Sequence, residues 1–367
     1  MRNILLFGTF DVLNYGDLLF PLLARHALGG DFTITAVSPT SLRPQWPECM
    51  SVISIDDYGD IDADGVLIGG GNIIHCKKDR LPAYQQSGLP ERAYRSLWSD
   101  AAAFANARRI PVAWNAPGVP VPFAADELEA LIAPVVSDAN YLSVREQASR
   151  DHLGSYGHRF DIVPDTALAV SEMWPRDTLV ETLADTLTAA GLDPKTRYAV
   201  IHAKRRSMEG DASMMAAQID DFARTSGLLP VLLPLGLCHA DDQIARDISG
   251  AMQERHLCLD APIGLRQITA LIAFSEVFVG ASLHGFIASA SYGRRGVLVA
   301  KPRLPKFMGM ADHLARPCDV VETWRAGFNR ALSALREDAP QAPGEAMQAV
   351  HAHWTRVRRL FDGGSPV

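Results

Sequence analysis

Residues 279–286 read Val-Gly-Ala-Ser-Leu-His-Gly-Phe and join an apolar run to a helix-like run. The apolar run, 277–279, predicts a buried strand that stops at Gly280, and residues 286–292 predict a helix. A turn between a strand and a helix lies at the carboxyl edge of a sheet, where open α/β sheets bind ligands. Because the first N–H groups of a helix are unpaired, such a turn favours an anion. His284 lies in this turn and can change its charge near neutral pH, although it could equally be a capping or structural histidine.

The same order of strand, polar turn and helix recurs along the chain. In the first half, apolar runs predict strands at 3–8, 32–37, 52–55, 64–68, 110–114, 141–144 and 160–163. In the second half, they predict strands at 199–202, 228–233, 256–259, 277–279 and 297–300. Helical periodicity fills most of the intervals, as it does in a doubly wound parallel sheet. The polar residues that follow the strands should therefore share one edge of each sheet.

Two α/β halves of this kind predict two Rossmann-like domains that face each other across a cleft, a layout that resembles the GT-B type of glycosyltransferase. A chain of 367 residues is long enough for two cores. The predicted boundaries are 1–172 for the first domain, 173–196 for a connector, 197–337 for the second domain, and 338–367 for a linker and a last helix. That last helix could fold back on the first domain.

The composition excludes several classes of protein. The formal net charge is -7 and the Lys and Arg residues are scattered, so no nucleic-acid partner is expected. The five cysteines are far apart and form no CxxC pair, which favours a reducing compartment and argues against a structural zinc site. No apolar run approaches the roughly 18 residues that span a bilayer, and the apolar start is too short for a signal peptide. We expect a cytoplasmic protein, at most peripheral at the inner face of the membrane.

Two polar turns in the first half are candidate sugar contacts. The turn after the first strand contains Asn14 and Asp17; either could cap the following helix, and Asp17 could instead orient a sugar hydroxyl or take its proton. The turn after strand 64–68 reads Gly69-Gly70-Gly71-Asn72. Glycines at this place let the backbone come close to a ligand or to a neighbouring helix.

Cations that follow strands are candidate anion contacts. Arg145 follows strand 141–144, and its fork suits carboxylate and phosphate groups; the alternative is a salt bridge with Glu146 or across a domain interface. Further cations stand after two strands of the second half: Lys204, Arg205, Arg206, Lys301, Arg303 and Lys306. No cluster with the spacing of metal ligands occurs. The nearest approach, His239 with Asp241 and Asp242, is better explained by acids at a helix N-terminus.

Six of these stretches together resemble the polysaccharide pyruvyl transferase family. They follow the family's order and extend from residue 14 to residue 307, so the resemblance covers nearly the whole chain. The matching stretches are Asn14 to Asp17, Gly69 to Asn72, Ser143 to Glu146 with Ser149 and Leu153, Pro164-Asp165, Gly280 to Gly285, and Lys301 to Phe307. The family's histidine and arginine match His284 and Arg145. Many members have arginine where this chain has Ser282, so one of the cations of the second half would have to replace it.

The resemblance implies a GT-B-like fold and transfer of a pyruvyl group from phosphoenolpyruvate to a sugar, commonly as a ketal, on a polysaccharide, oligosaccharide or lipid-linked glycan. No cofactor is implied. His284 would be the general acid, and Asp17, or alternatively Asp165, the base. The implied donor contacts are Arg145, Ser282, Lys204, Arg205, Lys301 and Lys306. The acceptor would bind on the first-domain side, at Asn14, Gly70, Gly71 and Asn72.

Two other functions stay open. A nucleotide-sugar glycosyltransferase needs the same cleft and cations, although no paired glutamates for a nucleotide occur late in the second half. A sugar- or anion-binding protein without activity is the other alternative, because of the missing arginine at Ser282. Trp98, Trp114 and Tyr84 are candidates for stacking on a sugar or for packing. The sequence does not define the acceptor sugar or the oligomeric state.

Overall fold

The structure, a computed structural model, describes residues 1–78, 81–86 and 89–363. The first half contains a parallel sheet of five strands in the order β3-β2-β1-β4-β5. These strands are β1 Arg2–Phe7, β2 Phe32–Ser38, β3 Val52–Ser54, β4 Gly65–Ile68 and β5 Val112–Trp114. Except for the half-buried Ile53 in β3, their apolar residues are buried on both faces, as expected for strands with helices on either side.

The two remaining strands of this half, β6 (Ser143–Val144) and β7 (Asp161–Ile162), do not extend the five-stranded sheet by a full ladder. They pair with each other in parallel, and a single bridge between Ala113 and Tyr141 connects them to β5. The sequence pattern predicted seven strands without distinguishing these two. Apolar runs indicate where a strand lies but not how many backbone hydrogen bonds join it to its neighbour.

The second half contains a parallel sheet of six strands in the order β10-β9-β8-β11-β12-β13. These strands are β8 Tyr198–His202, β9 Leu229–Leu232, β10 Leu257–Cys258, β11 Val277–Gly280, β12 Arg295–Val299 and β13 Val320–Val321. The stretch with which the sequence analysis began is the end of β11, in the middle of this sheet. It is hydrogen-bonded to β8 on one side and to β12 on the other, so the turn that follows it has a fixed position.

Helices cover the faces of both sheets. They are α1 Tyr15–Leu28, α2 Pro82–Gln86, α3 Ala93–Arg95, α4 Ala101–Arg108, α5 Ala125–Glu127, α6 Ala133–Asp138, α7 Gln147–Asp151, α8 Val170–Met173, α9 Val180–Ala189, α10 Ala212–Ser226, α11 Asp241–Ser249, α12 Leu265–Phe274, α13 Leu283–Ser291, α14 Pro305–His313, α15 Trp324–Ala334 and α16 Gly344–Phe361. A π-helical turn, Ser96–Asp100, joins α3 to α4, and a second one, Leu128–Ile132, joins α5 to α6. None of the described helices is both long and apolar enough to cross a bilayer.

One apolar cluster extends through both halves and holds them together. It contains Phe20 and Leu23 from α1 together with Phe278 and Phe286 from the second sheet and its following helix. Backbone contacts add to it, because the N–H of Tyr15 donates to the carbonyl of Leu235 at 2.8 Å. The cleft between the halves therefore has a well-packed floor.

The last helix, α16, returns to the first half of the chain. Arg358 in α16 forms an ion pair with Asp31 at 2.6 Å. His353 is buried between the hydroxyl of Tyr141 and the amide oxygen of Asn115, at 3.0 Å from each. Phe361 packs so closely on Gly65 that a side chain there would collide with its ring. These contacts connect the end of the chain to β4 and β5.

Candidate active site

The candidate active site is a cleft of about 380 Å³ between the carboxyl edges of the two sheets. Most of its walls follow strands directly, which is where open parallel sheets bind ligands. The first half contributes Asn14, Asp17, Gly71, Asn72 and Arg145. The second half contributes Lys204, Arg206, Ser282, His284 and Lys306. The polar residues after the predicted strands thus meet in one place.

His284 belongs to the second half but is positioned by the first. It lies in the first turn of α13, and its ring packs against Gly16, where an added side-chain carbon would stand 1.7 Å from Nδ1. Phe20 meets the ring edge-on, with the centroids 5.7 Å apart. On the other side, Nε2 lies 3.4 Å from Oδ2 of Asp165. The orientation of His284 therefore depends on contacts across the domain interface.

Asp165 is a buried carboxylate that holds the histidine. Only 1% of it is exposed, and it accepts hydrogen bonds from Arg145 at 3.1 Å and from the N–H of Ala167 at 3.1 Å. Burial raises the pKa of Asp165, but the nearby His284 and Arg145 and the bond from Ala167 outweigh it and hold the pKa well below its ordinary value. Asp165 thus stays ionised, which suits it to orient His284 better than to act as the alternative base.

Arg145 lies in the wall of the cleft with its guanidinium already engaged. It is 3% exposed and bonds to Glu146 at 3.0 Å, to Asp165 and to the amide oxygen of Asn72. Burial lowers its pKa, but the two carboxylates outweigh burial and raise the pKa above its ordinary value. The salt bridge to Glu146 that the sequence left open is present. Arg145 also fixes Asn72, which lines the cleft.

Two groups in the cleft have pKa values displaced from their ordinary values in opposite directions. Burial raises the pKa of Asp17, although His284, Lys306, Arg145 and Lys204 counteract this. Burial and the neighbouring cations lower the pKa of Lys306 to about 7. Gly71, with φ of 87°, leaves room for Asp17, since a side-chain carbon there would be 3.1 Å from its Oδ1. The raised pKa of Asp17 and the lowered pKa of Lys306 mark both groups as candidates for proton transfer in the cleft.

Ser282 caps the helix that carries His284. Its Oγ accepts the N–H of Gly285 at 3.3 Å, and its own backbone is extended, as is typical of an N-cap residue. Leu283 and His284, the first two residues of α13, line the cleft beside it. The sequence predicted Ser282 as a donor contact, and it does line the cleft; the cations beside it are Lys204, Arg206 and Lys306.

Three predicted contacts lie elsewhere. Gly70 packs against Phe20, whose ring atoms would stand 2.3 Å from a side-chain carbon, so this glycine serves packing. Lys301 does not line the cleft and pairs with Glu209 at 3.3 Å. Arg205 lines a neighbouring recess of about 210 Å³. The sequence located these residues after the correct strands, but the direction of their side chains follows from loop conformations that have no periodicity.

The aromatic residues proposed for sugar stacking are not available. Trp98, Trp114 and Tyr84 are fully buried, and the Tyr84 hydroxyl donates to Asp11 at 2.7 Å. His75 and Tyr94 line the cleft instead, with ring centroids 4.1 Å apart. No sequence motif marked them, because they lie nineteen residues apart in irregular and short helical segments.

A second histidine–carboxylate pair stands behind the cleft. The Nε2 of His202 donates to Oδ2 of Asp241 at 2.9 Å, and both residues are buried. Burial outweighs this bond and lowers the pKa of His202, so the ring is neutral near pH 7. Asp242 pairs with Arg246 at 2.6 Å instead. Among the described residues, no group of three His, Cys, Asp or Glu side chains is placed to hold a metal ion.

Comparison with known proteins identifies both a family and a fold. The model of the polysaccharide pyruvyl transferase family matches residues 14–300 of the chain. No curated protein matches the chain significantly.

Several solved structures share the whole architecture. UDP-GlcNAc 2-epimerase from Methanocaldococcus jannaschii, in complex with UDP-GlcNAc and UDP, has a TM-score of 0.60 at 10% identity and covers 99% of this chain and 100% of its own. UDP-GlcNAc 2-epimerase from Neisseria meningitidis, bound to UDP-GlcNAc, has a TM-score of 0.55 at 12% identity and covers 97% of this chain and 100% of its own. The UDP-N-acetylglucosamine 2-epimerase from Rickettsia bellii has a TM-score of 0.58 at 9% identity and covers 98% of this chain and 95% of its own. The fold is thus α/β and GT-B-like, with two Rossmann-like domains across a cleft, as predicted.

Proposed function

Because the chain belongs to the polysaccharide pyruvyl transferase family, we propose that it transfers the pyruvyl group of phosphoenolpyruvate to a sugar of a polysaccharide, oligosaccharide or lipid-linked glycan precursor and releases phosphate. The observation that carries this proposal is His284, held by Asp165 in a cleft lined by Lys204, Arg206 and Lys306. An acid beside several cations is what a substrate with a phosphate, a carboxylate and an enol requires.

The donor binds against the second-domain wall. Its phosphate and carboxylate face Lys204, Arg206 and Lys306, and the first turn of α13, capped by Ser282, adds N–H groups. Arg145 contributes positive charge from the wall while it holds Asn72 and Asp165. The predicted contacts at Lys301 and Arg205 are left out of the proposed site because these residues lie outside the cleft.

The reaction begins with proton transfer from His284 to the methylene carbon of the enol. This forms the new methyl C–H bond and leaves an oxocarbenium-like centre on the adjacent carbon. A sugar hydroxyl attacks that centre and gives its proton to Asp17, whose raised pKa suits a group that gains a proton. The bond from this carbon to the phosphate oxygen then breaks and phosphate leaves with the electron pair. A second hydroxyl attacks the resulting oxocarbenium-like centre and gives its proton to His284, which lost its own in the first step, and the ketal ring closes.

The acceptor approaches from the first-domain wall, where Asn14, Gly71 and Asn72 lie. The amide groups of Asn14 and Asn72 can both donate and accept hydrogen bonds, as sugar hydroxyls do. The position of Asp17 between this wall and His284 fits a base that acts on an acceptor hydroxyl. The proposed cytoplasmic location, at the inner membrane face for a lipid-linked acceptor, follows from this substrate class.

The first test is thermal unfolding of the purified protein with millimolar phosphoenolpyruvate and, separately, with nucleotide sugars, since a ligand of the folded state raises the midpoint. Phosphoenolpyruvate should raise it, and phosphate release with a glycan panel should disappear in His284→Gln while the shift is retained. His158→Gln, at an exposed site outside the cleft, is the matched control. A shift with nucleotide sugars alone would reject the proposal.

The second candidate is a nucleotide-sugar enzyme. The observation in its favour is that structures with this fold, such as the Methanocaldococcus jannaschii enzyme, were solved with UDP-GlcNAc and UDP. At 10% identity this likeness concerns the fold alone. The third alternative is a protein that binds sugar or anions without turnover. In such a protein His284→Gln would leave ligand affinity unchanged and no phosphate would be released by the wild type or the variant, whereas an enzyme of either kind would lose turnover.

A further inference from the structure

The two walls of the cleft differ in chemical character. The second-domain wall carries Lys204, Arg206 and Lys306, which suit an anion. The outer part of the first-domain wall carries the rings of His75 and Tyr94. Pro120 and Val121 line the same cleft and add apolar surface. A ligand that spans the cleft would therefore meet three cations at the second-domain end and two rings, with Lys77 also in the lining, at the other.

The rings of His75 and Tyr94 form a pair with a defined geometry. Their centroids are 4.1 Å apart and their planes are inclined by 43°. The Nδ1 of His75 accepts the backbone N–H of Lys77 at 3.1 Å, which fixes the plane of the imidazole. We call His75 and Tyr94 the aromatic shelf.

The aromatic shelf rests on the core of the first domain. Tyr94 belongs to α3, which continues without interruption into α4, and its neighbours Ala93, Leu97 and Trp98 are fully buried. Trp98 also approaches the carbonyl of His75, with its Nε1 3.4 Å from that oxygen. Since the backbone on both sides of the shelf is anchored, little conformational entropy is lost when a ligand covers it.

We propose that the aromatic shelf binds the ring of the acceptor sugar, with one face of a pyranose lying on Tyr94. The apolar C–H face of a pyranose matches an aromatic surface, while its hydroxyls reach Asn14 and Asn72 on the same wall. The acceptor role of this sugar rests on the proposed function. The sugar then stands opposite the cations that hold the donor, with His284 and Asp17 between the two substrates.

This location separates acceptor recognition from donor recognition. The shelf itself consists of one phenol and one imidazole. Lys77, two residues after His75, also lines the cleft, but a donor with two anionic groups is better matched by the three cations of the opposite wall. The donor contacts, in contrast, stand on elements of the second domain, after β8 and in α14. Substitution of Tyr94 should therefore change sugar binding and leave donor binding intact.

The test measures binding of the labelled, full-length protein to an array of immobilised glycans and, in parallel, the thermal shift with phosphoenolpyruvate. Tyr94→Ala should bind glycans at least about tenfold more weakly than the wild type, and Tyr94→Phe should keep most of the affinity because the ring remains. Both variants should keep the thermal shift with phosphoenolpyruvate. Tyr156→Ala removes a half-buried tyrosine outside the cleft and should change neither readout.

Two results would overturn the proposal. One is a folded Tyr94→Ala protein that binds the same glycans as strongly as the wild type, and the other is a wild type that binds no glycan on the array. Failure of the proposed function has a different signature. In that case the wild type shows no shift with phosphoenolpyruvate, while loss of glycan binding in Tyr94→Ala still assigns the shelf to a sugar.

Discussion

Among single residues, Gly16 has the most direct effect on the candidate acid, because His284 occupies the space that a side chain at Gly16 would need. Gly16→Ala would place a carbon 1.7 Å from Nδ1, so the ring must leave its place beside Asp165. We expect phosphate release to fall by at least about a hundredfold, because proton transfer requires hydrogen-bond reach. Phosphate-release kinetics measure it. Gly30→Ala, with nothing within 4 Å of the added carbon, is the control, and a Gly16→Ala enzyme with full turnover would contradict this account.

Lys306 should couple donor binding to proton uptake. Its pKa of about 7 in the free protein means that it is mostly neutral at a pH of about 8, and a bound anion raises that pKa. The affinity for phosphoenolpyruvate should thus decrease as the pH rises above 7. Calorimetry at pH ~8 in buffers of different ionisation enthalpy should detect uptake of up to about one proton.

The matched variants for this linkage are both lysine-to-arginine changes. Lys306→Arg keeps the positive charge but remains protonated throughout, so binding should persist without proton uptake. Lys301→Arg changes a lysine that pairs with Glu209 outside the cleft and should behave like the wild type. If uptake is the same in Lys306→Arg, another group takes the proton.

Among the helices, α13 combines stability and binding at its N-terminus. Ser282→Ala removes the cap of this helix and should lower the free energy of unfolding by about 0.5–2 kcal/mol, as urea titration would measure. It should also weaken the thermal shift with phosphoenolpyruvate. Thr323→Ala removes the corresponding cap of α15, which lies away from the cleft, and should cost similar stability with an unchanged shift. If phosphoenolpyruvate raised the unfolding midpoint equally in both variants, the N-terminus of α13 would have no part in donor binding.

For the molecule as a whole, α16 makes stability depend on pH through His353. Burial, together with Arg356, lowers the pKa of His353 to about 3, below the ordinary value near 6.5. The stability that the neutral ring contributes is therefore complete above about pH 6.5 and is lost progressively as the pH falls towards 3.

Urea unfolding at pH 7 and pH 5 tests this dependence. As the pH falls, the free energy of unfolding of the wild type should decrease by up to about 1.4 kcal/mol per pH unit through this group. The free energy of unfolding of His353→Gln should be lower than that of the wild type at pH 7 but should decrease less between pH 7 and pH 5. His351→Gln changes an exposed neighbour in α16 that pairs with Glu172 and should retain the wild-type dependence. A His353→Gln protein with the wild-type difference would assign the dependence to other groups.

The α/β class, the order of the elements and the family could all be predicted from the amino-acid sequence alone. Apolar runs such as 277–279 mark buried strands through local patterning, and parallel strands necessarily end at a common edge. That is why Asn14, Gly71 and Lys204, far apart in the chain, could be assigned to one cleft before their contacts were known.

Which side chains meet within the cleft was not predictable in this way and became visible only in three dimensions. The contact between His284 and Asp165, the burial of Trp98 and the exposure of Tyr94 to the cleft all depend on segments that are distant in sequence. Their arrangement follows from how two cores pack against each other and from turns without periodicity. Strand and helix positions are set by neighbours along the chain, whereas the surroundings of a side chain are set by neighbours in space.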